Sequence, residues 1–209
     1  MLSGCGFFSE RWEWNQKLTV EVLVDGKLVS GSAVSHVMWQ EANALDVYPT
    51  DHTGEATIVD LGERGMLFAL IGEDTKYVAQ YTLHEELGED RADYERLLPK
   101  IEKFRGTSDV PTDHYPLLVT FGDINDPKTV EQVDPSNLEA AFGPGVSLKR
   151  ITLEITDETV TEGSAERVLG WLKAIWPNHL DGRRYETVEA TNRFANSLSA
   201  GSFSTEISR

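Results

Sequence analysis

The chain has 209 residues, 40% of them apolar, with five Trp, six Tyr and eight Phe, which supports one large or two small folded domains and argues against disorder. Its 35 acidic and 19 basic side chains give a formal net charge of −16 at pH 7, a field that repels nucleic-acid phosphates and anionic lipid surfaces and either favours cationic partners or simply keeps the protein in solution. No window reaches the roughly 18 apolar residues of a membrane-spanning helix, and a single cysteine permits no internal disulfide.

The N-terminus reads Leu2-Ser3-Gly4-Cys5, an aliphatic residue and two small ones before the only cysteine. A bacterial lipoprotein signal presents this order for processing: small residues let the extended backbone enter a narrow cleavage site, and the thiol receives the lipid. A full export signal also needs a basic stretch and roughly 7–15 apolar residues, yet only Met1 and Leu2 stand before the small pair. Either translation begins upstream of Met1, or the chain keeps only the end of a signal, or Cys5 is an ordinary thiol at a frayed end. Under the first two readings residues 1–10 are a lipobox remnant and spacer, and Cys5 is the lipid attachment point.

Arg11, Trp12 and Trp14 follow, suited either to packing on a sheet edge or to contact with a membrane surface or partner. Lys17 to Val24 then alternates, with Leu18, Val20, Val22 and Val24 on one face. Asp25-Gly26 suits a type I′ hairpin turn, and Lys27 to Trp39 supplies the return strand, with Gly31 marking a bulge. The polar stretch from Gln40 to Gly54 interrupts the pattern. A second hairpin is expected from Glu55–Leu61 and Met66–Ile71 around Gly62-Glu63-Arg64-Gly65, and a further strand from Lys76 to Leu83.

Tyr94, Leu97, Leu98, Ile101 and Phe104 fall at helical spacing, with Pro99 expected to kink or divide the helix. Thr107 to Asp113 reads as a loop and Tyr115 to Phe121 as a strand buried on both faces. Asp134-Pro135 reads as a helix start, capped by the carboxylate, for a helix that carries Leu138 and Phe142 and stops at Gly143. Ser147 to Thr156 alternates again. Ser164 to Trp176 is the strongest helical pattern, striped by Val168, Leu169, Leu172 and Ile175 and ended by Pro177. Residues 181–209 form a C-terminal tail that either wraps the body or stays mobile. The order implies an α+β fold: N-terminal antiparallel hairpins, then mixed strands and helices, in one compact domain over residues 11–180.

Few residues point to chemistry. The five histidines are scattered, and none forms the paired spacing of a metallohydrolase helix. Asp51-His52 and Asp113-His114 place carboxylate beside imidazole, as an acid/base pair or metal site would, though such dipeptides also serve as solvated turns. Asp123, Asn125 and Asp126 cluster oxygen atoms after an apolar strand, as a cation site would, and equally fit a turn held by side-chain bonds to its own backbone. No serine lies in a nucleophile elbow, and no glycine run cradles phosphate, so no cofactor is called for.

The segments Tyr115–Val130 and Phe142–Thr152, with Val133-Asp134-Pro135, Gln16–Val20 and Ser30-Gly31-Ser32, resemble a family of uncharacterised proteobacterial proteins that often carry a lipoprotein-type N-terminus. The resemblance covers most of the chain and implies no activity. The resulting expectation is a non-catalytic binding or structural protein of the cell envelope, facing the periplasm and anchored through Cys5. Its membrane contact would run through the lipid alone, with an unidentified protein partner and no nucleic acid. Two alternatives stand beside it: a cytoplasmic acidic inhibitor or immunity-type protein that binds a basic partner, and a metal-assisted hydrolase using Asp113, His114 and Asp123.

Overall fold

A computed structural model describes residues 10–43 and 46–208. Alternation shapes the first hairpin. In β1 (Arg11–Val24) the even positions Trp12, Trp14, Gln16, Leu18, Val20 and Val22 share one face, and β2 (Lys27–Asn43) returns antiparallel from Val24↔Lys27 to Arg11↔Gln40. Asp25 and Gly26 hold φ of 50° and 78°, the positive pair that a type I′ turn requires. Both tryptophans of β1 are buried.

The hairpin runs further than its apolar alternation. β2 continues past Trp39, and β3 (Asp46–Thr53) pairs with it where the sequence predicts an interruption. This strand lies at the sheet edge, and its pairing shifts register between Met38 and Trp39. Edge strands tolerate polar residues and proline because one side of the ladder is unpaired. The β1–β2 register passes through Gly31 without a bulge; the irregularity falls instead between Glu21 and Val22, opposite β9.

The second hairpin forms as expected from β4 (Thr57–Asp60) and β5 (Met66–Ala69). Lys76 to Leu83 is not a strand. It holds α1 (Val78–Leu83), because Tyr77/Tyr81 and Ala79/Leu83 are also four apart, and the helix buries Val78, Ala79 and Leu83 together. α2 (Tyr94–Lys103) runs undivided through Pro99. Proline there costs about 3 kcal/mol in a free helix. Burial of Leu97, Leu98 and Ile101, each about 1.5–3 kcal/mol, outweighs it.

Within the predicted 107–113 loop lies the short β6 (Thr107–Asp109). β7 (Leu118–Phe121) and β8 (Val130–Gln132) follow. Asp134 accepts a bond from the Ser136 amide in a turn, and helix appears only at α3 (Glu139–Phe142), which still buries Leu138 and Phe142. β9 (Val146–Thr156) pairs with β1. The predicted 164–176 helix is broken into α4 (Ser164–Val168) and α5 (Leu172–Ile175) at Leu169-Gly170. Gly170 weakens the helix by about 1 kcal/mol relative to alanine. The break lets the Trp171 indole donate to the Ile124 carbonyl at 2.8 Å. α6 (Arg193–Ser197) closes the series.

The strands make two antiparallel sheets, β3-β2-β1-β9-β6 and β4-β5-β7-β8, in an α+β domain. The inner core joins the apolar face of the larger sheet, α1 and α2 to one face of the smaller sheet through Val59, Leu67, Ala69 and Leu118. The opposite face of the smaller sheet, with Phe68 and Val119, packs under α4 to α6 and Phe203. The C-terminal segment therefore wraps the body: Ala195, Leu198, Ala200 and Phe203 are buried in this outer core. Among the described residues, no helix is long and apolar enough to cross a membrane.

Candidate functional site

Small residues decide where the two sheets touch and where they part. Gly31, Ala33 and Ser35 share the inner face of β2. At Gly31 the β4 backbone comes so close that an added Cβ would lie 1.9 Å from the Ile58 carbonyl oxygen. Ala33 and Ser35 instead line a cavity of about 250 Å³ with Gln16 and Leu18 of β1, Thr57 of β4, Ala69 of β5 and Val78 of α1. Tyr115, Pro116, Leu117 and Leu198 complete much of its apolar wall. Three acids, Glu55, Glu73 and Asp74, also line it, and among the described residues no Lys or Arg does.

An opening of about 450 Å³ adjoins this cavity across Ile71, Gly72, Glu73 and Ser202. Thr50, Asp51, His52, Lys76, Ser199 and Thr205 form its remaining polar rim. The two spaces make an inner chamber with a polar mouth, within the size range of small-molecule sites, roughly 300–1,000 Å³. β3 brings Asp51 and His52 to one side, the turn before α1 brings Glu73 and Lys76 to another, and the C-terminal segment supplies the serines.

Some polar walls are already committed. Gln16 is 2% exposed; its Oε1 accepts from the Trp14 indole at 3.1 Å and its Nε2 donates to the Thr75 carbonyl at 3.0 Å. His52 differs. Its Nε2 is buried and has no hydrogen-bond partner. Burial, and then the charge of Lys76, hold its pKa down at about 4, so the imidazole is neutral at pH 7. Asp51 Oδ1 accepts the His52 backbone amide at 2.9 Å. An acid/base relay requires a hydroxyl or carboxylate within about 2.6–3.2 Å of the ring nitrogen. Nε2 has no such partner in this arrangement.

Asp113-His114 lands beside the same cavity without forming a catalytic pair. The His114 ring lines the inner chamber and stacks flat on Tyr81, centroids 3.8 Å apart, while Asp113 Oδ2 sits 3.8 Å from His114 Nε2 and is largely exposed. The structure does not bring Asp113, His114 and Asp123 together: among the described residues, no three His, Cys, Asp or Glu side chains converge as a metal set would. Asp123 Oδ1 accepts the Asn125 amide at 2.9 Å, Asp126 Oδ1 accepts the Lys128 amide at 3.0 Å, and the Thr129 hydroxyl ties both backbones together. These three residues thus form interlocked turns at the end of β7. Cys5 lies outside the described residues.

Sequence reasoning missed Gln16 and Glu55. Gln16 stood at an inward position of an alternating strand, a signal that was present. Glu55 had none: its carboxylate, 3% exposed, accepts the amides of Gly163, Ser164 and Ala165 at 2.5, 2.8 and 3.1 Å and meets the Glu166 carboxyl. Burial, then Glu166, raise its pKa. The pair joins the start of the second hairpin to the C-terminal layer. No protein-family model, curated protein or solved structure matches the chain.

Proposed function

We propose that this protein is a non-catalytic binding protein that takes a small molecule into the cleft between its sheets and is held at the periplasmic face of the cell envelope by a lipid on Cys5. The observation that carries the binding reading is the chamber beside Ala33 and Ser35: an apolar pocket with a few convergent polar groups, in a domain otherwise packed on both faces of its smaller sheet. The unpaired His52 Nε2 at its mouth supports it, since buried polar atoms normally have partners. The tether is supported by Leu2-Ser3-Gly4-Cys5 alone.

Thermal denaturation against a chemically diverse small-molecule library tests the first half. Wild type is expected to show compounds that raise its Tm, and Ala33→Leu, which fills the chamber, is expected to lose every such shift while folding normally. A library without a single stabilising compound would defeat the reading, as would hits that persist undiminished in Ala33→Leu. Metabolic labelling with an alkyne fatty acid tests the second half: label on the natively expressed protein, absent in Cys5→Ser, is expected. An unlabelled wild type removes the tether.

A further inference from the structure

The chamber's walls limit the charge of what it can hold. Among the described residues no Lys or Arg lines it, and the His114 ring already faces the Asp113 carboxylate at 3.8 Å. A carboxylate or phosphate brought inside would lose its water and find no free countercharge. The acids offer a cation no better reception. The Glu55 carboxylate takes three backbone amides and meets Glu166, and Glu73 is paired with Lys76 at 2.9 Å. Asp74 is exposed to solvent, where an ion pair yields little. A charge of either sign therefore costs more to desolvate than these walls offset.

One polar group in the wall is uncommitted. Ser35 stands opposite Gln16 in the β1–β2 register, on the inner face of β2 with Ala33, and is 7% exposed. Its hydroxyl makes no hydrogen bond within the described residues and is not sealed off from the chamber that it lines. Its polar neighbours are engaged: Gln16 with the Trp14 indole and the Thr75 carbonyl, and the Thr57 hydroxyl with the Leu18 carbonyl at 3.4 Å. Ser35 thus keeps an O–H donor free in a mainly apolar pocket, where buried polar groups normally have partners. Size narrows the occupant further. An apolar cavity of about 150 Å³ holds benzene, so one of about 250 Å³ suits a body of about ten heavy atoms.

We propose that the chamber holds an uncharged, mainly hydrocarbon molecule of about ten heavy atoms whose single ketone or alcohol oxygen accepts the Ser35 hydroxyl and whose body lies against Leu18, Ala33, Ala69 and Val78. This rests on the cleft being a binding site and goes on to name the chemical class of its ligand.

Calorimetric titration at pH 7.5 with octan-2-one, octan-2-ol, 2-aminooctane and octanoate isolates the head group, because all four share a chain length. The ketone and the alcohol are expected to bind about tenfold or more tightly than the amine and the carboxylate, both charged at this pH. Ser35→Ala is expected to weaken the ketone about three- to tenfold and to leave 2-methyloct-1-ene, a hydrocarbon of the same shape, unchanged. Ala33→Leu is expected to abolish all binding; where it does not fold, Ser35→Ala alone locates the site. If the amine or octanoate binds as tightly as the ketone, the uncharged class falls, and where Ala33→Leu blocks that binding the cleft remains a binding site. Ketone binding untouched by Ser35→Ala overturns the proposal by removing its one polar contact. If none of the ligands binds, the class falls, and the library screen alone decides whether the cleft binds anything.

Discussion

The two faces of the smaller sheet are built from the same strands yet covered in opposite ways. In β5, Leu67 and Ala69 enter the inner core while Met66 and Phe68 meet the outer one. The inner face is covered by a five-stranded sheet and two helices, centred on Trp39 with Tyr77 and Tyr94 about 5 Å from its ring. The outer face is covered by short helices and turns from residues 164–208, centred on Phe68, Phe121, Trp171 and Phe203. Long strands present a continuous apolar face, so the inner contact is extensive, and a run of small residues is needed to leave a cleft in it. The outer cover has no extended periodic face and relies on separate anchors. A cover that depends on a few side chains should loosen as a unit when one of them goes.

The largest expected effect tests that difference. Phe203→Ala removes a fully buried ring shared by three aromatic contacts and should cost about 3–5 kcal/mol. Hydrogen exchange should show protection lost first across residues 164–203, while β1 and β2 keep theirs. Equal loss throughout would mean the two layers are one cooperative unit.

Gly31→Val probes the inner contact. Its Cβ would collide with the Ile58 carbonyl, a backbone atom that cannot swing aside, so β2 and β4 must separate. Overpacking of this sort costs about 1–3 kcal/mol or more. Denaturant titration should register it, and a neutral substitution would contradict the close approach of the sheets.

Acid sharpens the comparison through two groups with opposite signs. His52, at the inner mouth, has a folded pKa of about 4 against an ordinary 6.5. Its contribution is complete above pH 6.5 and is lost as pH falls towards 4. That gap corresponds to about 3 kcal/mol, reduced to about 2 because the ring is partly exposed. Glu55, which ties on the outer layer, has a raised pKa, so its contribution is present below the ordinary 4.5 and is lost as pH rises through the folded value. Chemical denaturation between pH 4 and 7 should therefore find His52→Gln less sensitive to acid than wild type. Glu166→Gln, which replaces the like charge facing Glu55, should gain stability at pH 7 relative to pH 4. Parallel pH profiles for all three proteins would refute both assignments.

Legibility followed the length of the periodic runs. The first hairpin was readable because Leu18 to Val24 alternates over several residues and Asp25-Gly26 matches one turn type. Lys76 to Leu83 misled because six or eight residues fit periods of 2 and 3.6 equally, and burial of Ala79 and Leu83 settled the matter. The 164–176 helix misled because propensity and stripe spoke for one helix while the Trp171 contact to Ile124 required a break. At the site, Asp51-His52 and Asp113-His114 were visible as dipeptides, but the placing of Asp51, His52 and His114 around adjoining spaces was not, since the two dipeptides stand 62 positions apart. Glu55 was invisible because its partners lie more than a hundred residues away.

By itself the amino-acid order determined the α+β class, the leading hairpin with its turn, and the acidic field that constrains any partner. Those properties follow from local periodicity, turn sterics and summed charge, none of which needs distant contacts. Tertiary structure alone decided the layering of two sheets beneath a C-terminal cover, the gap between Gly31 and Ser35, and the burial of His52 and Glu55. Each arises from groups far apart along the chain, whose burial and charge acquire their energies only once the fold has placed them side by side.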